Sequence, residues 1–371
     1  MIKVSVIMPV YNAGAFLDDT LESVEKQTLK EIEIICVNDG SPDNSLEILK
    51  KHAANDSRIR IIDKPNEGAG AARNAGLHAA TGEYLSFLDC DDLFESDMLE
   101  KAYAACKEKD ADICIFRCDM FDDETGKTSS GAYALRKDYL PEKEPFAGRD
   151  IGDRIYFATV GWAWDKLFRR EFIVKNNIEY QNQRTTNDML FVFSALTIAE
   201  RIITLDNVFA HQRRNSGSSL SVTREKSWDC FYHALTALEG FLKEQGIYKP
   251  RERAFKNYCV HFALWNLNSL YGESYHKLYD ALRNEYLPGW EIEKYPDDYF
   301  LSAGELRQAK RILEMSFDEY APFMINTLRN SARSSDAVRA ELDAIKNSAS
   351  YKLGRALTSA PRAIRKLLWK K

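Results

Sequence analysis

The first hundred residues repeat one pattern, and that pattern limits the chain to few folds. An apolar run is followed by a polar turn and then by a helical stripe. Residues 4–10, 32–37 and 59–62 are the runs. The stripes begin after Tyr11-Asn12, after the turn-rich stretch 38–44 and at Gly68-Ala69-Gly70. In the first, Phe16, Leu17, Leu21 and Val24 share one face. Two more runs, 84–88 and 113–116, flank a helix near 96–109. Alternation of this kind predicts an α/β domain, a mostly parallel sheet with helices on both faces. Ligands of such sheets bind beyond the carboxyl ends of the strands. Tyr11-Asn12, Asp39-Gly40-Ser41 and Asp89-Cys90-Asp91-Asp92 all fall at such ends.

The last of these is the most informative. Three carboxylates within four positions repel one another unless a cation lies among them. A divalent Mg²⁺ or Mn²⁺ held by one or two carboxylates and a substrate phosphate would meet that need. The competing reading makes Asp91 or Asp92 the cap of a helix starting at 93–98. Gly68-Ala69-Gly70 suggests a dinucleotide fingerprint, but Arg73 stands at its third glycine and it follows the third strand, not the first. The two glycines are expected to allow close packing at a helix start. Arg73 reaches a base or phosphate, or is a surface charge.

Composition narrows the partners. The net charge of −5 hides a segment, 351–371, with seven Lys/Arg and no acid, which leaves −12 for the rest. An acidic body is not a nucleic-acid binder. The basic segment, with Leu367, Leu368 and Trp369, suits an anionic membrane surface, or else frays in solvent or docks on the acidic body. Seven cysteines without a CxxC pair are expected to be free thiols. With no apolar run of membrane-spanning length and a start that enters a strand directly, the expected location is cytoplasmic, at the inner face of the membrane.

Taken in order, Pro9-Val10-Tyr11-Asn12, Asn38-Asp39-Gly40-Ser41, Asn66-Glu67-Gly68 through Ala72-Arg73-Asn74-Ala75-Gly76, and Phe87-Leu88-Asp89-Cys90-Asp91-Asp92 resemble the family 2 glycosyltransferases of bacterial surface-polysaccharide synthesis. The resemblance covers residues 3–120 strongly and extends to about 222. It implies a GT-A (Rossmann-like) fold over 1–222, with a donor half 1–120 and an acceptor half 121–222. A helical C-terminal region over 223–334, then a helix and basic tail over 335–371, would complete the chain. It also implies an inverting transfer from a nucleotide-diphosphate sugar, a UDP-sugar first, to a glycan or lipid-linked acceptor.

The same resemblance distributes roles. Pro9, Val10, Tyr11, Asn12, Asp39, Arg73, Asp89, Cys90 and Asp91 would hold the nucleotide sugar. Asp89 and Asp91, the DXD motif, would hold the metal with His211. Asp188 matches the catalytic base, and Asn187 stands where a Glu is usual. Trp164 and Asn187 would meet the acceptor, while Arg213 and Arg214 begin a flap over the diphosphate. For each a plainer reading stands beside it: core for Trp164, a helix cap for Asp188, a structural histidine for His211 and a solvated basic loop for the flap. The aromatic stripe Tyr258, Phe262, Trp265, Tyr271, Tyr275 and Tyr279 reads as core rather than as a ligand box. Membrane spans and a Gln-x-x-Arg-Trp motif are missing, which points to addition of a single sugar. A sugar nucleotidyltransferase or a non-catalytic assembly subunit are the rival readings, and a homo-oligomer is compatible with all three.

Overall fold

The computed structural model describes residues 1–123, 125–214 and 220–334. The Ser/Gly loop at 215–219, the helix expected at 335–348 and the basic tail 351–371 lie outside the described residues.

The repeating half forms as its pattern dictates: β1 (Val4–Val10), α1 (Leu17–Glu25), β2 (Ile32–Asp39), α2 (Ser45–Asn55), β3 (Ile59–Lys64), α3 (Ala69–Ala79) and β4 (Tyr84–Phe87). Strand β1 runs parallel to both β2 and β4, and β2 parallel to β3. Every residue of β1 is buried, the signature of a strand covered on both faces. Helix α1 buries Leu17, Leu21 and Val24 completely. Each such side chain contributes about 1.5–3 kcal/mol by leaving water. Helix α3 lies so close to β1 that a Cβ on Gly76 would come within 2.4 Å of Ile7. No larger residue fits there.

The second half departs from simple alternation. It contains β5 (Leu93–Phe94), α4 (Met98–Lys109), β6 (Ile113–Asp122), β7 (Thr128–Ser130), α5 (Ile155–Ala158), β8 (Lys166–Arg169), α6 (Arg170–Lys175), α7 (Asn187–Ile198) and β9 (Ile202–Arg214). Among the described residues nine strands form one sheet, ordered β3-β2-β1-β4-β8-β6-β9-β5, with β7 attached to β6. Strand β8 lies antiparallel to both β4 and β6 and joins two parallel sets. The chain order turns back at β1 and β4, so a crevice opens beyond their carboxyl ends. That crevice receives the polar loops after β1, β2 and β4.

Helices α8 (Cys230–Glu244) and α9 (Tyr248–Ser269) then pack in sequence, α8 against α7 and α9 against α8 and the turn at 148–154. Residues 1–309 form one compact unit, so packing does not break at 222. Among the described residues no helix is long and apolar enough to cross a membrane.

Candidate active site

Pro9 and Val10 are buried strand residues, and only Tyr11, half exposed, and Asn12 emerge into the crevice. Asn12 adopts a left-handed backbone (φ 52°), a conformation Asn tolerates well, and its N–H donates to the Ser41 hydroxyl at 3.4 Å. Asp39 ends β2 and is only 2 % exposed. Its carboxylate accepts from Lys64 Nζ at 2.8 Å and from the backbone N–H groups of Glu67 (3.0 Å) and Gly68 (2.8 Å). Asp39 therefore fixes the loop entering α3, and most of its acceptor capacity is spent inside the protein.

The acidic stretch does not cap a helix. Asp97 precedes α4, and β5 intervenes. Asp92 is buried and accepts the Arg213 backbone N–H at 2.9 Å. Burial and the charges of Asp91 and Asp89 push its carboxyl well above the usual range. Asp91 is pushed up to about 6, first by burial and then by the charge of Asp89. It makes no ion pair among the described residues. Asp89 is held by Arg73, whose Nη2 lies 2.6 Å away. The Cys90 thiol receives the Tyr11 backbone N–H, and burial raises it far above an ordinary thiol. It packs against the core cluster.

Arg73 is the hinge between the two halves. Its side chain is buried within α3; Nη2 serves Asp89, and Nη1 donates to the Asn187 amide oxygen at 2.8 Å. Burial opposes its charge, while Asp89, Tyr180 and Asp188 favour it strongly enough to raise its pKa above the ordinary value. The fit depends on close approach: a Cβ on Gly70 would lie 2.2 Å from the Gln181 carbonyl. One helical turn on, the Asn74 amide exchanges two 2.8 Å hydrogen bonds with the backbone of Tyr180. Asn74 thereby locks α3 to the segment leading into α7.

That segment ends at Thr186, which takes the cap position of α7 with φ 60°. Asp188 lies inside the first turn, so it is not the cap. Burial raises its carboxyl to about 6, Arg73 lowers it and Asp89 raises it further. The helix N-terminus favours its anion. Asn187 is 5 % exposed and spends its amide on Arg73 and the Gln183 carbonyl, which leaves little for an acceptor.

Asp188, Asn187, Arg73 and Asp89 line one cavity of about 740 Å³. Trp162 and Trp164 stack at 4.8 Å on its wall, but Trp164 is 3 % exposed and belongs to the core. Trp162, next to Tyr133, presents the accessible face. The rim at 160–162 hangs on Lys166. This buried ammonium pairs with Asp165 at 2.6 Å and donates to the carbonyls of Val160 (3.1 Å) and Trp162 (2.8 Å).

Three expectations need correction. Residues of a strand alternate faces, and on β9 it is Gln212 and Arg214 that line the cavity. His211 and Arg213 point the other way. His211 faces Asp119 (2.6 Å) and Glu95 (3.2 Å), which engage both ring nitrogens in place of Asp89 and Asp91. Arg213 is not part of a flap: its side chain is buried between Phe16 and Phe121, bound to Asp123 and the Asp91 carbonyl. It braces the acidic loop from behind. The α9 stripe is not plain core either, because Tyr258, Phe262 and Trp265 line the cavity. Two segments a hundred residues apart meet there, which no local pattern announces.

The acids suit a hard divalent cation. Asp91 carries a largely uncompensated charge beside Asp89, and both offer oxygen donors. Among the described residues no three His, Cys, Asp or Glu side chains gather into a complete cage. An ion here would complete its shell with phosphate and water, as Mg²⁺ usually does.

Residues 5–170 match the family model described as glycosyl transferase family 2. The chain is 34 % identical over 274 residues to a cholesterol galactosyltransferase of Borreliella burgdorferi, covering 70 % of this chain and 73 % of that one. It is 32 % identical over 231 residues to glycosyltransferase GlyG of Streptococcus pneumoniae, covering 61 % and 75 %. In structure it resembles S. aureus TarS 1–349, solved with UDP (TM-score 0.61, 21 % identity, 84 % of this chain and 88 % of that one). At that identity the likeness speaks for the fold.

Proposed function

Because the chain belongs to glycosyl transferase family 2, we propose that it is an inverting, metal-dependent enzyme. It moves one sugar from a nucleotide-diphosphate sugar to a hydroxyl of a glycan or lipid-linked acceptor. The observation that carries this reading is the placement of Asp188: a carboxylate raised to about 6 at a helix N-terminus, in the same cavity as Asp89 and Arg73. A base with a pKa near working pH is well matched to taking a proton from a hydroxyl.

In this reading the nucleotide lies along the crevice at Tyr11, Asn12 and the loop tied by Asp39. The sugar projects into the cavity. Asp188 accepts the acceptor's proton as its oxygen attacks the anomeric carbon, and the bond to the diphosphate breaks on the opposite face. Asp89 and Asp91 would hold the divalent ion, which supplies Lewis-acid stabilisation of the leaving diphosphate. Arg73 keeps Asp89 and the start of α7 at fixed separation. Arg214, hydrogen-bonded to the Tyr133 hydroxyl at 3.2 Å, offers a second cation to the leaving group. UDP, the nucleotide bound in the TarS fold neighbour, is the first to try, since UDP-GlcNAc was also bound there. The basic tail 351–371 would hold the enzyme at an anionic membrane surface.

Calorimetry of UDP with and without Mn²⁺ tests the metal and donor together. Affinity rises with Mn²⁺ in the native chain, and Asp91→Asn abolishes that rise. Equal affinity in both conditions for the native chain defeats the reading.

A further inference from the structure

The cavity has far more positive than negative charge. Five arginines line it (Arg73, Arg136, Arg184, Arg214 and Arg224), against two acids, Asp89 and Asp188. Arg73 is committed to Asp89, and Arg214 is hydrogen-bonded to the Tyr133 hydroxyl. Arg224 is different. It is partly buried, its guanidinium lies 4.4 Å from the Trp265 ring centroid, and it makes no ion pair among the described residues. Burial, with nothing to oppose it, pushes its pKa below the ordinary value. A guanidinium taken from water without an anion is costly unless a ligand brings one.

Beside it runs a ladder of rings. Tyr258 and Phe262 stack at 5.3 Å and Phe262 and Trp265 at 5.6 Å, all on one face of α9 because they are spaced by four and three residues. Trp265 is 44 % exposed, unusual for so large a ring on a long helix of the compact unit. Arg136, whose guanidinium meets the Tyr139 ring and hydroxyl, lines the same cavity and makes no ion pair among the described residues. Flat rings offer stacking surface to the C–H face of a pyranose. Arginine forks bind carboxylate or phosphate in two-point fashion.

We infer that Trp265 and Arg224, with the α9 ladder, form an acceptor subsite for a pyranose bearing a negative charge, either a carboxylate or a phosphate. The inference rests on the transferase reading and names the acceptor's chemical class. The reacting hydroxyl would lie at Asp188, and the charged residue of the acceptor one unit away on the ladder.

The test titrates the full chain, saturated with UDP and Mn²⁺, with methyl β-D-glucuronide, methyl β-D-glucopyranoside 6-phosphate and neutral methyl β-D-glucopyranoside. Binding is read by saturation-transfer NMR. At least one charged probe binds about 10-fold more tightly than the neutral one, as charge-assisted pairing implies, and the stronger of the two identifies the anion. Arg224→Gln removes that preference and leaves the neutral probe unchanged; Trp265→Ala weakens all three. UDP affinity, measured alongside, is unaltered in both variants. Equal binding of charged and neutral probes overturns the subsite. A fall in UDP affinity for Arg224→Gln also overturns it, by returning the arginine to the donor. If the native chain binds no UDP, the transferase reading itself fails, which is a separate result.

Discussion

On the wall built from β4, α3 and α7, charges meet inside the protein: Arg73 answers Asp89 and Asn187, and Arg213 braces Asp91 and Asp92 from behind. Elsewhere on the same cavity, on what can be called its second wall, Arg136 and Arg224 meet aromatic rings instead. The first arrangement holds its groups in place before any ligand arrives, which electrostatic stabilisation of a transition state requires. The second leaves cations and rings for a ligand to satisfy. In the proposed reading, chemistry and choice of substrate are thus divided between two sets of residues lining one cavity.

The division can be broken in several places. Asp188→Asn keeps the shape of the first wall and removes the base, so turnover falls by roughly 10²-fold or more while UDP affinity stays near normal; unchanged turnover in a UDP-release assay would remove Asp188 from its role. Arg73→Met leaves Asp89 and Asn187 without their cation and destabilises the fold by about 3–5 kcal/mol, measurable by urea unfolding. A loss under 1 kcal/mol would show that the wall does not depend on that pair.

Acidity separates fold from activity. Asp188 must be ionised to act, so at saturating Mn²⁺ kcat/KM drops about tenfold per unit below pH 6. Stability moves the other way. Asp188 and Asp91 hold folded pKa values of about 6, above the ordinary unfolded value of about 3.9. The folded state therefore binds more protons between those limits, and the metal-free protein gains stability as pH falls from 7 to 5. Thermal unfolding across that range checks the sign.

Smaller effects sharpen the contrast. Trp162→Ala on the second wall raises the acceptor KM about 5-fold with kcat little changed, the loss of one stacking partner. His211→Asn leaves the Mn²⁺ dependence of UDP binding within about 2-fold, because its ring serves Asp119 and Glu95. A larger loss would restore His211 to the metal.

The first wall was largely readable in sequence. Its residues lie in short motifs at strand ends, where turn chemistry and periodicity are local signals, and the elements from β1 to α4 follow them. Strand β8 was not readable: four residues, with Lys166 and Arg169 among them, give no apolar run, and its neighbours β4 and β6 lie far back in the chain. The facing of His211 and Arg213 was not readable either, because β9 runs through to Arg214 and only the alternation along it decides which side chains face the cavity. The second wall joins Tyr133, Trp162 and α9 from distant stretches, and only tertiary packing brings them together.

Lys166 gives the cavity mouth an internal reporter. Its amine is shielded from solvent and held by three oxygens, so acylating reagents that label the surface lysines should leave it unmodified in the native protein. Mass-spectrometric appearance of label at this one position would then record the moments when the entrance loosens, and a bound saccharide should slow them.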